Sequence, residues 1–199
     1  MVPGPSIDRR PGALGAAEGK RLLDIAVLGV RHAAEARPAP ALDLTCEPPA
    51  LLSPGASFVT LKHAGRLRGC IGSLEPLRPL VEDVMANAYA AARHDPRFPE
   101  LQVWELSGLQ LSVSTLGPHE PITAATREAL LLALRPGVDG LVVRSGTRRA
   151  TFLPAVWEQL PEPADFVDAL WQKARLAPGS WPEQLELTRY HVETLETRL

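Results

Sequence analysis

Two pairs of β-strand patterns, each joined by a short turn, limit this chain to folds with antiparallel pairing. In the first pair, Phe58–Lys62 precedes the turn His63–Arg66, and the returning strand is Leu67–Leu74. In the second pair, residues 141–144 and 150–153 flank a glycine-containing turn. Strands joined by a tight turn run antiparallel. Because helical patterns lie between these pairs, we predict an α+β fold with mixed, mainly antiparallel sheets and flanking helices, not a doubly wound parallel sheet.

The other elements follow from hydrophobic periodicity. Apolar residues at helical spacing predict one helix that begins at Glu18 and ends before Pro38, and further helices over residues 80–94, 123–134 and 164–176. Alternation of apolar and polar residues predicts strands over residues 109–114 and 184–192. The alternation of the last strand slips near Thr188, which indicates a bulge or a wrong boundary. Thr123 and Thr126 are both candidate N-caps for the helix that follows them.

Size, charge and cysteine content bound the class of protein. The chain has 199 residues, 45% of them hydrophobic, which is enough for one domain with a proper core. A net charge of −2 gives no field that would attract nucleic acid or an anionic membrane. Residues 1–17 are rich in proline, glycine and alanine and are predicted to be a flexible tail, and residues 18–199 a single domain of two sublobes. Cys46 and Cys70 lie far apart in the sequence, so we expect reduced thiols. The sequence shows no apolar run long enough for a membrane span and no signal-peptide pattern, so we expect a cytoplasmic protein.

The segment Leu67–Gly72, with the sequence LRGCIG, is the main candidate site. If it is extended, Arg68 and Cys70 project from the same face. A guanidinium beside a thiol favours the thiolate, which is the form that attacks or binds soft ligands. Gly69 and Gly72 leave room for the close approach of another backbone or of a ligand. We therefore predict that Cys70 is a candidate catalytic residue and that Arg68, Gly69 and Gly72 contribute to ligand binding.

The segment Asp95–Phe98, with the sequence DPRF, supplies a second arginine. Arg97 and Arg68 can each bind a carboxylate or phosphate group through two parallel hydrogen bonds, and Asp95 can orient Arg97. A purely structural interpretation stays open for each of these residues: a salt bridge for either arginine, and a small buried apolar side chain for Cys70. The histidines have no metal-ligand spacing, so no metal or cofactor site is predicted.

The order of several motifs resembles the AMMECR domain family. Leu67–Gly72 resembles the family signature, and Asp95–Phe98 resembles the DPRF element that follows it. Further similar segments are Glu105–Leu116, Gly137–Leu141, Phe152–Trp157 and Phe166–Leu176. The resemblance covers about residues 18–196, and several motifs in the same order are more specific than any one of them. Two positions depart from the family pattern: Ala155 replaces a glutamine, and Arg175 replaces the glycine at a helix end.

This resemblance implies a mixed fold of two sublobes, with the cysteine motif lining the cleft between them. It also implies a bacterial or archaeal setting in which such proteins are encoded with a Memo-like protein and a radical SAM protein, the AmmeMemoRadiSam arrangement. The family has no settled biochemical activity that can be transferred to this chain.

Two hypotheses about function remain. In the first, the protein is an accessory or binding component whose cleft holds a small anionic ligand, a peptide or a partner. In the second, Cys70 is the nucleophile of a thiol enzyme, Arg68 or Arg97 holds an anionic group, and the backbone amides around Gly69 and Gly72 stabilise an oxyanion. Since the sequence offers no clear general base, the first hypothesis is favoured.

Overall fold

A computed structural model describes residues 14–199, which form two compact units. The first unit contains the described residues up to Leu116 together with Glu193–Leu199, and the second contains Gly117–Val192. Most of the predicted tail over residues 1–17 lies outside the described residues, and its last two residues belong to a helix that begins at Ala16. Each unit has a hydrophobic core of its own.

The described part of the chain has five α-helices: α1 (Ala16–Ala34), α2 (Pro49–Leu52), α3 (Leu80–Arg93), α4 (Arg127–Ala133) and α5 (Pro163–Lys173). It has ten strands: β1 (Pro54–Gly55), β2 (Ser57–His63), β3 (Arg66–Gly72), β4 (Arg78–Pro79), β5 (Leu109–Leu116), β6 (Glu120–Pro121), β7 (Gly140–Ser145), β8 (Arg148–Phe152), β9 (Leu185–Tyr190) and β10 (Val192–Arg198). Within residues 14–199, none of the helices has both the length and the apolar character that a bilayer crossing requires.

The first unit is built on a four-stranded sheet in the order β10–β5–β2–β3, in which β2 is antiparallel to both β3 and β5. Helices α1 and α3 pack against each other, and α3 also packs on β2 and β3. Every second residue of the central strands is buried in the core, including Val59, Leu61, Leu111 and Val113. This arrangement leaves β3, the strand with the predicted site, at one edge of the sheet.

The second unit has a four-stranded antiparallel sheet in the order β6–β9–β7–β8. Phe166 and Leu170 of α5 are buried in the same core as Leu141 and Val143 of β7. Trp157 stacks on Phe166 with ring centroids 3.8 Å apart. The aromatic pair therefore fixes the segment after β8 against α5.

The observed elements confirm the α+β prediction and both predicted hairpins, β2–β3 and β7–β8. Helix α3 ends at Arg93, with His94 as its C-cap, as the proline at position 96 predicts. Helix α4 is shorter than predicted and begins at Arg127. Its N-cap is Thr126, whose hydroxyl accepts a hydrogen bond of 3.2 Å from the backbone N–H of Ala129.

The last predicted strand, residues 184–192, corresponds to β9, and a further strand follows it in the other unit. Strand β9 ends at Tyr190, His191 interrupts the pairing, and β10 begins at Val192 in the sheet of the first unit. The pairing of β9 with β7 is regular through Thr188, so there is no bulge, and the predicted boundary at residue 192 was two residues beyond the end of β9. Sequence periodicity missed β10 because no position in it is fully buried, so its apolar alternation is weak.

Candidate functional site

The edge of β3 is covered by the segment that follows α3. An edge strand presents backbone N–H and C=O groups that no neighbouring strand satisfies. Here the N–H of Cys70 donates to Oδ2 of Asp95 over 2.8 Å, and the carbonyl of Cys70 accepts from Nη2 of Arg97 over 3.1 Å. The two motifs that sequence analysis singled out therefore meet, and the second one caps the edge of the first.

Asp95 and Arg97 form a two-bond ion pair. Nε of Arg97 donates to Oδ1 of Asp95 over 2.9 Å, and Nη2 donates to Oδ2 over 2.7 Å. The side chain of Asp95 is 2% exposed, whereas that of Arg97 is 54% exposed. The hydrogen bonds from Arg97, with help from the N–H of Cys70, hold the pKa of Asp95 well below its usual value although burial opposes this. The carboxylate is therefore ionised at neutral pH, and the guanidinium that holds it in place still faces solvent.

Cys70 is partly exposed and is not sealed in the core. It pairs with Thr60 across the ladder, and Thr60 pairs with Ser112 on its other side, so the three side chains project from one face of the sheet. The Thr60 hydroxyl lies 3.3 Å from the sulfur. Hydrogen bonding to Asp95 is the main cause of the raised pKa of Arg97. Arg97, and not Arg68, is the arginine bonded to this residue, through the Cys70 carbonyl.

Arg68 lies at a bulge that sequence alternation does not predict. Leu61 pairs with Gly69 and Lys62 pairs with Leu67, which leaves Arg68 without a partner in β2. Its Nε and Nη2 donate to the two carboxylate oxygens of Glu105 over 2.7 and 2.9 Å, and Nη1 donates to the carbonyl of Pro99 over 2.9 Å.

The side chains of Arg68 and Glu105 are 13% and 11% exposed. These contacts favour the structural interpretation of Arg68 over ligand binding. Hydrogen bonding to Arg68 also lowers the pKa of Glu105. The two arginines that were predicted to share one anion site bind two different carboxylates, Glu105 and Asp95.

The space beside the two glycines of the motif is filled by protein atoms. A Cβ at Gly69 would overlap the carbonyl oxygen of Ala91 in α3. A Cβ at Gly72 would overlap the ring of Phe58 and the carbonyl oxygen of Ser57. Of the two predicted alternatives, the close approach of another backbone is the one seen at Gly69, and Gly72 is approached by an aromatic ring and a carbonyl oxygen, so these positions are not open to a ligand.

Asp83 forms a buried polar network that sequence analysis missed. Its Oδ2 accepts from the backbone N–H of Ser57, the hydroxyls of Ser57 and Ser73, and the amide of Asn87 over 2.6 to 2.8 Å. Arg78 donates to Oδ1 over 3.0 Å. Because Ser73 directly follows Gly72, this network anchors the end of β3 to α3. The signal was present in the sequence, since Asp83 and Asn87 are four residues apart on the otherwise apolar face of α3.

A second buried carboxylate, Asp139, organises the turn before β7. Nη2 of Arg135 donates to Oδ1 of Asp139 over 2.7 Å and lies 3.0 Å from Nε2 of His191. The indole N–H of Trp157 donates to the Asp139 carbonyl over 2.7 Å. This cluster joins the turn before β7 to the residue that follows β9, and its groups bind one another.

Two further groups in the second unit have shifted pKa values. Tyr190 is fully buried, its hydroxyl lies 2.8 Å from that of Thr151, and burial raises its pKa to about 12. Burial, together with the charge of Arg149, lowers the pKa of His119. The His119 ring lies 5.3 Å from that of Tyr190, so both shifts arise from packing at one place in the second unit.

The geometry around Cys70 is better suited to binding than to nucleophilic turnover. Asp95 is a weak base because its pKa is lowered and Arg97 occupies both its oxygens. Among the residues that the structure describes, Thr60 is the side chain that hydrogen-bonds the sulfur, and a threonine hydroxyl is no general base at neutral pH. The groups that remain accessible to solvent are the guanidinium of Arg97 and the half-buried thiol of Cys70.

Comparison with protein families gives one match over most of the chain. A family model described as AMMECR1 matches residues 23–195. A protein of Thermotoga maritima is 37% identical over 141 residues, which are 69% of this chain and 75% of that protein. A protein of Methanothermobacter thermautotrophicus is 43% identical over 99 residues, which are 50% of this chain and 52% of that protein. The chain thus aligns with about half the length of this second relative.

Comparison with solved structures extends the likeness to the fold. The crystal structure of an uncharacterised protein from Pyrococcus horikoshii is similar with a TM-score of 0.80 and 30% sequence identity. The match covers 92% of this chain and 93% of the other. The likeness therefore includes residues of both units.

Proposed function

The chain belongs to the AMMECR1 family, and within this family we propose that it is a binding protein that holds a carboxylate or phosphate group at Arg97, beside the thiol of Cys70. The observation that carries the proposal is a guanidinium that is fixed in place and yet 54% exposed. Nε and Nη2 of Arg97 are held by Asp95 and by the Cys70 carbonyl. Nη1 makes no hydrogen bond within residues 14–199, so its two N–H groups are open to a ligand.

The charge balance sets the kind of binding that we expect. Asp95 neutralises the guanidinium, so directional hydrogen bonds hold the ligand more than net charge does. A donor whose orientation is already fixed loses little conformational entropy when it binds. The proposal includes a reducing, cytoplasmic setting, in which Cys46 and Cys70 are both free thiols.

An NMR titration with citrate and with inorganic phosphate tests the binding proposal. We expect saturable shifts of the Arg97 Nε–H signal and of the neighbouring backbone amides. Arg97→Ala should weaken binding at least tenfold, since a charged hydrogen bond is worth about 1.5–3 kcal/mol. Arg97→Lys should weaken it nearly as much, because lysine keeps the charge but lacks the planar donors.

Arg66→Ala is the matched control, because Arg66 is an exposed arginine on the same hairpin. Thermal unfolding of each variant separates a lost ligand contact from a lost fold. If folded Arg97→Ala binds both probes as tightly as the wild type, the proposal is wrong.

The thiol-enzyme hypothesis makes a different prediction, and Cys46 provides its internal reference. Cys46 is an exposed free thiol, whereas Cys70 is half-buried. Under the binding proposal, iodoacetamide should alkylate Cys70 no faster than Cys46, as followed by mass spectrometry. A Cys70 that reacts much faster, and slows in Arg97→Ala, would favour the enzyme.

An accessory role beside a Memo-like protein and a radical SAM protein is the part of the proposal that rests on the family resemblance. Co-purification of the tagged chain with these two proteins from one host tests it. Arg97→Ala then distinguishes a partner that docks at this edge from one that binds elsewhere.

A further inference from the structure

A second surface in the molecule has the character of an anion site, and it lies wholly within the second unit. A concavity of about 1040 Å³ is lined by α4, by α5 and the loop after it, and by the start of β8. Three arginines from these elements line it: Arg127, Arg148 and Arg175. Asp168 is the one acidic residue of the lining.

The arginines are only partly neutralised. Arg127 donates to Oδ1 of Asp168 over 2.8 Å and to the carbonyl of Ala164 over 3.3 Å. The side chains of Arg148 and Arg175 are exposed and have no hydrogen bond or ion pair with any residue between 14 and 199. Two positive charges on this wall therefore lack a counter-charge from the described part of the chain.

Arg175 directly follows the C-cap of α5 and lies on the wall of the concavity. Its φ is +57°, in the left-handed region that favours glycine. The N–H of Arg175 bonds the carbonyl of Gln172, and the N–H of Leu176 bonds that of Trp171, which is the pattern of a glycine-terminated helix. These hydrogen bonds fix the helix end and therefore the position from which the Arg175 side chain extends.

We propose that this concavity binds the phosphate group of a small phosphorylated metabolite. Arginine supplies the planar donors and the charge that phosphate oxygens require. The rest of the wall includes Ala169, Leu176, Ala177 and Pro178, which offer apolar contact to a carbon skeleton. The volume lies at the upper end of the range for small-molecule sites, and the concavity is open to solvent. This site shares no residue with the Arg97 site, so each of the two proposals can be confirmed or refuted without the other.

Isothermal titration calorimetry of the full chain with inorganic pyrophosphate at low ionic strength tests the proposal. We expect saturable binding that Arg148→Ala and Arg175→Gly each weaken about tenfold or more. Arg144→Ala, an exposed arginine of β7 outside the concavity, should leave the affinity unchanged. Sulfate should bind at least tenfold more weakly than pyrophosphate.

Three outcomes would overturn the proposal. One is no measurable binding of millimolar pyrophosphate to the wild type. Another is an equal loss in Arg144→Ala, which would indicate a general charge effect. The third is sulfate binding as tight as that of pyrophosphate, which would show no preference for phosphate chemistry. Melting temperatures of the variants exclude loss of fold as the cause of weaker binding.

Discussion

Gly69 is the position in the Arg68–Gly72 segment where another element comes closest. The carbonyl of Ala91 in α3 occupies the place of a side chain, and the backbone of a packed helix cannot move aside cheaply. The glycine is needed for packing, and the position of Cys70 on the outer face depends on it. The packing of α3 against β3 thus explains why the cysteine-containing segment has glycine at position 69.

We therefore predict that Gly69→Ala destabilises the protein by about 3 kcal/mol, since overpacking a core costs about 1–3 kcal/mol and more where the backbone must move. Thermal unfolding should show a fall in Tm of about 10 °C. Gly117→Ala is the control, because a Cβ there would lie 3.4 Å from the carbonyl oxygen of His191, an ordinary contact. A Tm for Gly69→Ala within about 1 °C of the control would contradict the packing explanation.

Arg175 is the opposite case, a side chain where glycine would fit better. A left-handed conformation costs an ordinary residue about 1–2 kcal/mol. Substitution by glycine removes this cost, but glycine also raises the conformational entropy of the unfolded chain, which offsets part of the stabilisation. We predict that Arg175→Gly raises Tm by about 1–3 °C. Ala174→Gly should lower Tm instead, because Ala174 has an ordinary φ of −75° and is buried. A fall in Tm for Arg175→Gly would mean that its side chain stabilises the fold.

At the scale of elements, the edge of β3 depends on a carboxylate that must stay ionised. Asp95 has a pKa below its unfolded value of about 3.9. The folded state then binds fewer protons than the unfolded state when the pH falls below about 4. The stability that Asp95 contributes is fully present above that pH and is lost as the pH falls toward its folded pKa.

We predict that Asp95→Asn lowers the free energy of unfolding by about 2 kcal/mol at pH 7, through weaker bonds to Arg97 and to the N–H of Cys70. Urea unfolding at pH 7, 5, 4 and 3 should show the difference from the wild type shrinking below pH 4. Asp24→Asn is the control, because Asp24 makes an exposed pair with Lys20 on α1, and such pairs contribute about 0–1 kcal/mol. A difference that stays constant to pH 3 would contradict a role for the ionised carboxylate.

The helices and hairpins were predictable because their signals are local. Strand alternation and helical spacing depend on residues within a few positions of each other, and they located β2, β3 and α3 correctly. The bulge at Arg68 was not predictable in this way, because it is a property of how β3 pairs with β2. The Arg68 partner, Glu105, is 37 residues away and belongs to another element. Thus sequence analysis identified the two segments that meet at the edge of β3, and it did not identify which arginine bonds Cys70.

At the scale of the whole molecule, the chain begins and ends its described part in the same unit. Gly117–Val192 forms the second unit, and β10 then returns to lie beside β5 in the first. Sequence patterns did not reveal this return, because β10 is stabilised by strands far away in the chain and has no fully buried position. The first unit consequently depends on a strand that follows the second unit in the sequence.

Leu195 in β10 allows this dependence to be measured. It packs on the core of the first unit and lies over Gly19 of α1. We predict that Leu195→Ala destabilises the first unit by about 2 kcal/mol, the lower end of the range for losing a leucine from a core. Hydrogen exchange followed by mass spectrometry should show faster exchange in α1 and β5, with exchange in β7 and β9 unchanged. Glu196→Ala, an exposed neighbour on the same strand, should change neither unit. If Leu195→Ala accelerates exchange in β7 and β9 as much as in α1 and β5, then β10 stabilises both units together.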